Sequence, residues 1–239
     1  MLPRMQRMLL IALLASAGTG LMAATVPATT PAAPVTCPAC AAGDDHLGDD
    51  PWIAAGARAA CPVAALAVTD QAGTVRRWGD LAGEPLVVAF IYSRCANPNK
   101  CPRTTAALGA LARRAAAEGL RGVRFAIATY DPAYDTAERL AAWTRGQGVA
   151  PVLGVMLLRP GPGALAATVS GWQLAVNYQA DGEVATHDIE LLVCDRQLRL
   201  AHRYHATLWD QDAVVADIRR LLAEPAGPAG PDGPVLAHP

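Results

Sequence analysis

The sequence predicts an α/β fold, a central mixed sheet flanked by helices. Three observations carry this reading. Segments with strand character and segments with helix character alternate through the middle of the chain. One of them, Leu86–Tyr92 (LVVAFIY), is a continuous apolar run, as expected of a strand buried on both faces. The alternation then ends in two adjacent strands and a helix, so helices have to cover both faces of the sheet.

Taken in order, Pro62–Thr69 reads as a strand and Asp70–Gly73 as a turn. Leu86–Tyr92 is the central strand. Pro102–Glu118 is a helix, with Pro102 suited to its first turn and Leu108, Leu111, Ala112 and Ala115 on one face. Val123–Tyr130 is a strand. Thr136–Gly146 is a helix with Leu140 and Trp143 turned inward, and Val152–Leu158 is a further strand. Ile189–Cys194 and Leu198–Tyr204 form a strand pair around Asp195, Arg196 and Gln197. Asp210 is placed to cap a last helix whose stripe is Val214, Ile218, Leu221 and Leu222.

Composition bounds the rest. The chain has 239 residues, 52% of them hydrophobic, and a formal net charge of −1. That is enough apolar material for a core and excludes a disordered chain. The near-neutral balance gives no electrostatic footprint for nucleic acid. Residues 1–24 read as a signal peptide or N-terminal anchor: Arg4 and Arg7 precede an apolar stretch from Met8 to Met22, followed by small residues. Cleavage is expected near Ala24 or Ala28, with an uncleaved anchor as the alternative. Either way the chain is exported to an oxidising compartment, the periplasm, where disulfides persist. Residues 25–60 form a linker carrying Cys37-Pro-Ala-Cys40, residues 61–224 the globular domain, and residues 225–239 a Pro- and Gly-rich tail expected to be disordered.

The chemistry concentrates in IYSRCANPNKCPRTT. Cys95 lies just past the central strand and Cys101 just before the next helix, at the edge of an α/β sheet where ligands and reactions are housed. Helix N–H groups favour a thiolate there, so Cys101 is expected to have a depressed pKa, with Arg94, Lys100 and Arg103 adding positive charge. Two thiols on one loop can act as a redox pair, staple the loop as a structural disulfide, or hold a soft cation such as Cu(I). A peroxidase built on one reactive cysteine, polarised by Arg103, Thr104 and Thr105, leaves the second cysteine without a role.

Three segments together resemble the SCO/SenC family of thioredoxin-fold copper proteins. They are the cysteine loop with Pro102 and Thr104, TYDPAYDT (Thr129–Thr136), and THDIELLVCD (Thr186–Asp195). The resemblance runs from about Pro62 to Leu222. It implies a thioredoxin-like fold and copper, Cu(I) or Cu(II), bound by Cys95, Cys101 and His187. It also implies a role in assembling the copper centre of cytochrome oxidase, by copper delivery, thiol reduction or both. The partner would then be the copper-site subunit of a respiratory oxidase or another copper protein, with a thiol reductant upstream. Asp131 and Asp135 would shape their loop and cap the following helix. The chain departs from the family in two places: five residues separate the cysteines where the family usually has three, and the hairpin after Cys194 lacks the usual glycine. A thiol–disulfide oxidoreductase without stable copper binding is the competing function, and it would not need His187.

Cys37 and Cys40 have the spacing of a redox pair or of two metal ligands, and Ala41 excludes a c-type haem attachment. A local disulfide, an auxiliary redox or copper-relay site, and pairing with Cys61 or Cys194 all remain open. Cys194 reads as a buried core thiol and Cys61 as a candidate to bridge back toward the N-terminus. His202 and His205 read as solvent-facing. Trp52, Trp78, Trp143, Trp172 and Trp209 read as packing residues.

Overall fold

A computed structural model describes residues 49–149, 154–205 and 209–225. The signal or anchor segment, Cys37, Cys40, His46 and the tail beyond residue 225 lie outside the described residues. Nine strands are found among them: β1 (Ala67–Thr69), β2 (Val75–Arg77), β3 (Leu86–Ile91), β4 (Arg124–Thr129), β5 (Met156–Pro160), β6 (Val176–Tyr178), β7 (Val184–His187), β8 (Leu191–Cys194) and β9 (Leu200–Tyr204). The helices are α1 (Cys101–Ala117), α2 (Ala137–Gly146), α3 (Leu165–Trp172) and α4 (Gln211–Ala223). No helix among the described residues is long and apolar enough to cross a membrane.

Seven strands form one sheet in the order β2-β1-β5-β4-β3-β8-β9. The pairs β3–β4 and β4–β5 are parallel and the others antiparallel, so the sheet is mixed, as expected. Every residue of β3 is buried because its side chains alternate between two cores. Val87, Ala89 and Ile91 face Leu108 and Leu111 of α1 and Val214 and Ile218 of α4. Leu86, Val88 and Phe90 face Trp78, Tyr130 and Trp172.

Several boundaries differ from the sequence reading. Pro62–Ala65 is a turn, and only Ala67–Thr69 of the expected first strand is paired. Leu66 and Ala64 accept from Trp78 and Gly79 through their carbonyls, so those groups serve a 3-10 turn (Trp78–Leu81) and not a ladder. Helix α3 and the β6–β7 hairpin (a separate two-stranded sheet) were not foreseen. Residues 49–60, assigned by composition to the linker, pack on the fold. Asp50 donates its N–H to the Arg203 carbonyl (3.1 Å) and Ile53 to that of Ala201 (2.8 Å), covering the outer edge of β9. Arg58, fully buried in its side chain, ties this strap to Glu224 (2.7 Å) and Asp195 (3.1 Å).

The hairpin between β8 and β9 manages without a glycine. Leu198 takes a left-handed conformation (φ 58°), strained for a residue with a Cβ, while its side chain is buried. Asp195 organises the turn by accepting from the N–H of Gln197 (2.9 Å) and Arg199 (3.0 Å).

Candidate metal centre

The site is assembled at the edge of the sheet where β3 and β4 end. After Ile91 the chain leaves the sheet, and Cys95 donates its N–H to the Tyr92 carbonyl (3.3 Å). The five residues before Cys101 fold on themselves: Asn97 accepts from Asn99 through its side chain (2.9 Å) and from Lys100 through its carbonyl (3.1 Å). Ala96, Pro98 and Asn99 are exposed, so the longer loop bulges outward and leaves the two cysteines facing inward. Cys101 is the first residue of α1, with Pro102 next to it, one position later than expected. Both cysteines belong to the α1-side core; Cys95 is 7% exposed and Cys101 fully buried.

His187 comes from the end of β7, positioned by its pairing with Val176. Its Nε2 lies 3.7 Å from the Cys95 Sγ and 3.7 Å from the Cys101 Sγ. All three donor atoms lie within 4.8 Å of one another, and all three residues are buried. The Nδ1 of His187 is 2.9 Å from the Asp188 carbonyl. A carbonyl only accepts, so Nδ1 carries the proton and Nε2 presents a lone pair to the sulfurs. The rings of Tyr92 and Tyr130 pack on the imidazole at 5.1 and 5.6 Å between centroids and fix its plane.

The two thiols titrate in opposite directions. A hydrogen bond from the Cys101 thiol, aided by the backbone at Cys101 and Asn97, outweighs burial and brings the Cys95 pKa down to about 4. Burial, and then the Cys95 thiolate beside it, push Cys101 well above the ordinary range. The expectation of a low pKa at Cys101 is therefore corrected. The helix-terminal N–H of Cys101 serves the neighbouring sulfur, while its own sulfur is sealed from water.

Asp131 and Asp135 hold the cysteine loop. Asp135, fully buried, accepts from the Ser93 N–H (3.2 Å) and from the Ser93 and Thr129 hydroxyls. Asp131 accepts from Arg94 at both Nε (2.9 Å) and Nη2 (2.6 Å), and Arg94 also reaches Glu183. Neither aspartate caps α2; Thr136 does, accepting from the Arg139 N–H (3.3 Å). Arg94 is thus neutralised by partners, and Arg103 is exposed. Lys100 donates to the His187 carbonyl at 3.5 Å.

The other sequence candidates lie elsewhere. Cys194 is a buried core thiol, and Cys61 is half-buried and free. His202 and His205 are not solvent-facing. His202 bonds Asp217 (2.5 Å) against the Tyr204 ring, and His205 bonds Asp50 (3.2 Å) of the strap. Sequence reasoning missed the hairpin that delivers His187. Its signal was Asp181-Gly182, with Gly182 at φ 85° between two short strands.

The sequence pattern of the SCO1/SenC family matches residues 59–223. A comparison with curated protein sequences gives no match. Among solved structures, a SCO1/SenC family lipoprotein from Bacillus anthracis is 23% identical, with a TM-score of 0.57 over 65% of this chain and 92% of that one. BsSco, described as a member of the Sco family of cytochrome c oxidase assembly proteins with a disulfide switch, is 17% identical, with a TM-score of 0.57 over 69% and 95%. Yeast Sco1 with copper bound is 16% identical, with a TM-score of 0.54 over 67% and 89%. The fold is thioredoxin-like.

Proposed function

The chain belongs to the SCO1/SenC family, and from that membership we propose that it is an exported copper-binding thiol protein that supports assembly of the copper centre of a cytochrome oxidase. The observation that carries the copper reading is the convergence of two sulfurs and an imidazole Nε2 within 4.8 Å, in a buried pocket. Thiolate and imidazole donors lie roughly 2.0–2.3 Å from a bound ion, so donors sharing one ion are separated by no more than about twice that. The 3.7 Å Nε2–sulfur distances fall inside this limit. Two soft thiolates select Cu(I), and the imidazole extends the set to Cu(II).

The chain's own residues have distinct tasks in this reading. Cys95 supplies a thiolate at neutral pH, and Cys101 gives up its proton when the ion binds. Asp188 keeps the His187 proton on Nδ1 and Nε2 free. Asp131 and Asp135 hold the cysteine loop against the end of β4 through Arg94 and Ser93. The copper-bound yeast relative and the assembly role stated for the Sco family support the same reading.

The test is a copper titration of the full chain carrying Cys37→Ser and Cys40→Ser, reduced and without oxygen. We expect one Cu(I) per chain, lost in Cys95→Ala and in Cys101→Ala, and bound at least tenfold more weakly in His187→Ala. Binding that survives removal of both sulfurs would sink the proposal. The closeness of the two sulfurs also favours a second reading, a thiol–disulfide oxidoreductase acting on an oxidised copper-site protein. Under that reading His187→Ala keeps its rate of exchange with a model dithiol, and the Cys95–Cys101 couple lies above roughly −230 mV, whereas a structural disulfide lies below about −300 mV.

A further inference from the structure

The three donor atoms stand on two bodies of unequal firmness. Cys95 and Cys101 follow β3, in the middle of the seven-stranded sheet, and open α1. His187 ends β7, whose one strand partner among the described residues is β6, three residues long. A two-stranded ribbon of this length is marginally stable by itself. What fastens the hairpin therefore decides how firmly the His187 Nε2 is held over the sulfurs.

Part of the fastening is buried. The Tyr178 hydroxyl donates to the Tyr130 carbonyl (2.9 Å), and the Tyr130 hydroxyl donates to the Asp188 carbonyl (3.3 Å). Val184 and Leu174 belong to the core that includes Trp78 and Trp172.

The rest comes from the cysteine loop. Arg94, the residue before Cys95, donates from Nη1 to Glu183, the residue before β7. The same guanidinium donates to Asp131 from Nε (2.9 Å) and Nη2 (2.6 Å), so it spans from the end of β4 to the hairpin. The Tyr134 ring, 4.5 Å from its central carbon, restrains it further. Lys100, the residue before Cys101, donates to the carbonyl of His187 itself (3.5 Å). Each cysteine is thus preceded by a cation that reaches the hairpin, one at the start of β7 and the other at its end. The turn closes without the Glu183 carboxylate: the Glu183 N–H donates to Asp181 (2.9 Å), and its carbonyl accepts from the Gln179 N–H (2.8 Å). Removing that charge therefore leaves the hairpin's own bonds in place.

We propose that Glu183, acting through Arg94, is a positioning residue that holds His187 against Cys95 and Cys101 and slows the departure of an ion bound there. The proposal rests on the copper-binding reading and deepens it by naming what sets the hold of the third donor. Donors that share an ion must part before it leaves, and the Arg94–Glu183 pair opposes the movement of the hairpin away from the loop. The Glu183 side chain is 51% exposed, and exposed pairs of this kind are weak, so the effect on rates is about two- to fivefold.

The test compares the full chain with Glu183→Gln and, as a control, Glu118→Gln. Glu118 pairs with Arg114 and Arg219 at the opposite end of α1, so its loss removes similar ion pairs without touching the hairpin. In the reduced, metal-free chain, the backbone N–H groups of β7 should exchange with solvent faster by that factor in Glu183→Gln, measured against β8. Glu118→Gln should leave the ratio unchanged. Loaded with one Cu(I) per chain, Glu183→Gln should pass the ion to excess bathocuproine disulfonate faster by the same factor. Raising NaCl from about 50 to about 500 mM should quicken release from the unmutated chain and do so much less in Glu183→Gln, because salt screens an exposed pair. Exchange of β7 unchanged by Glu183→Gln, or quickened as much by Glu118→Gln, would overturn the proposal, as would equal release rates from the unmutated chain and Glu183→Gln. A chain that takes up no copper would instead defeat the proposed function, and the exchange measurement, made without metal, would still decide whether Glu183 holds the hairpin.

Discussion

Cys95 and Cys101 lie six positions apart, on either side of the loop that leads into α1, yet their thiols titrate oppositely because only one negative charge is stable between them. The Cys101 thiol donates to Cys95 and brings it to about 4; the resulting thiolate and complete burial keep Cys101 protonated. The lowered member is the one that a reagent can reach. Iodoacetamide should label Cys95 of the reduced, copper-free chain at a rate that holds from pH 8 down to about pH 5 and halves near pH 4. An ordinary cysteine, with a pKa near 8.5, would lose roughly a thousandfold over the same descent. Cys101→Ala removes the donor with the largest effect and should move the midpoint upward. A midpoint near 8 in the unmutated chain would refute this assignment. Sequence alone placed both sulfurs at the sheet edge, but it assigned the low pKa to the wrong one. Proximity to a helix start is visible in a sequence; which sulfur loses its contact with water is not.

At the scale of elements, the segments foreseen were those with a long or regular apolar pattern: β3, α1, β4, α2, the β8–β9 pair and α4. The segments missed were short. Helix α3 has eight residues and follows Gly161-Pro162-Gly163, and β6 and β7 have three and four. Elements this short are held by what they pack against. Gly171 in α3 shows it: a Cβ there would lie 2.6 Å from the Val63 Cγ1 and 3.6–3.7 Å from Pro62. Glycine in a helix costs up to about 1 kcal/mol relative to alanine, but here the close approach of α3 to the Pro62–Ala65 turn requires it. Gly171→Ala should therefore destabilise the fold by about 1–3 kcal/mol in urea unfolding. A gain in stability would mean that the turn yields freely.

For the whole molecule, the three donor atoms come from stretches of chain that meet only in the folded state. Cys95 and Cys101 flank the β3–α1 connection, and His187 arrives about ninety residues later on a hairpin of a second sheet. An ion held by all three ties these parts together and stabilises the native state by mass action. At a thousandfold excess over its Kd the gain is about 4 kcal/mol, or roughly 10 °C in Tm for a chain of this size. Calorimetry of the reduced chain with and without Cu(I) should show that rise, and His187→Ala should lose most of it; a Tm indifferent to copper would count against a three-ligand site. The sequence by itself determined the α/β class, the central strand and the cysteine loop at its end, because apolar periodicity and residue type are local properties; His187 joined the two cysteines only through the family resemblance. The tertiary structure decided the rest. Packing depth set which thiol is the anion, hydrogen bonding over long separations turned Asp131 and Asp135 toward the cysteine loop, and the pairing of two short strands brought His187 to the two sulfurs.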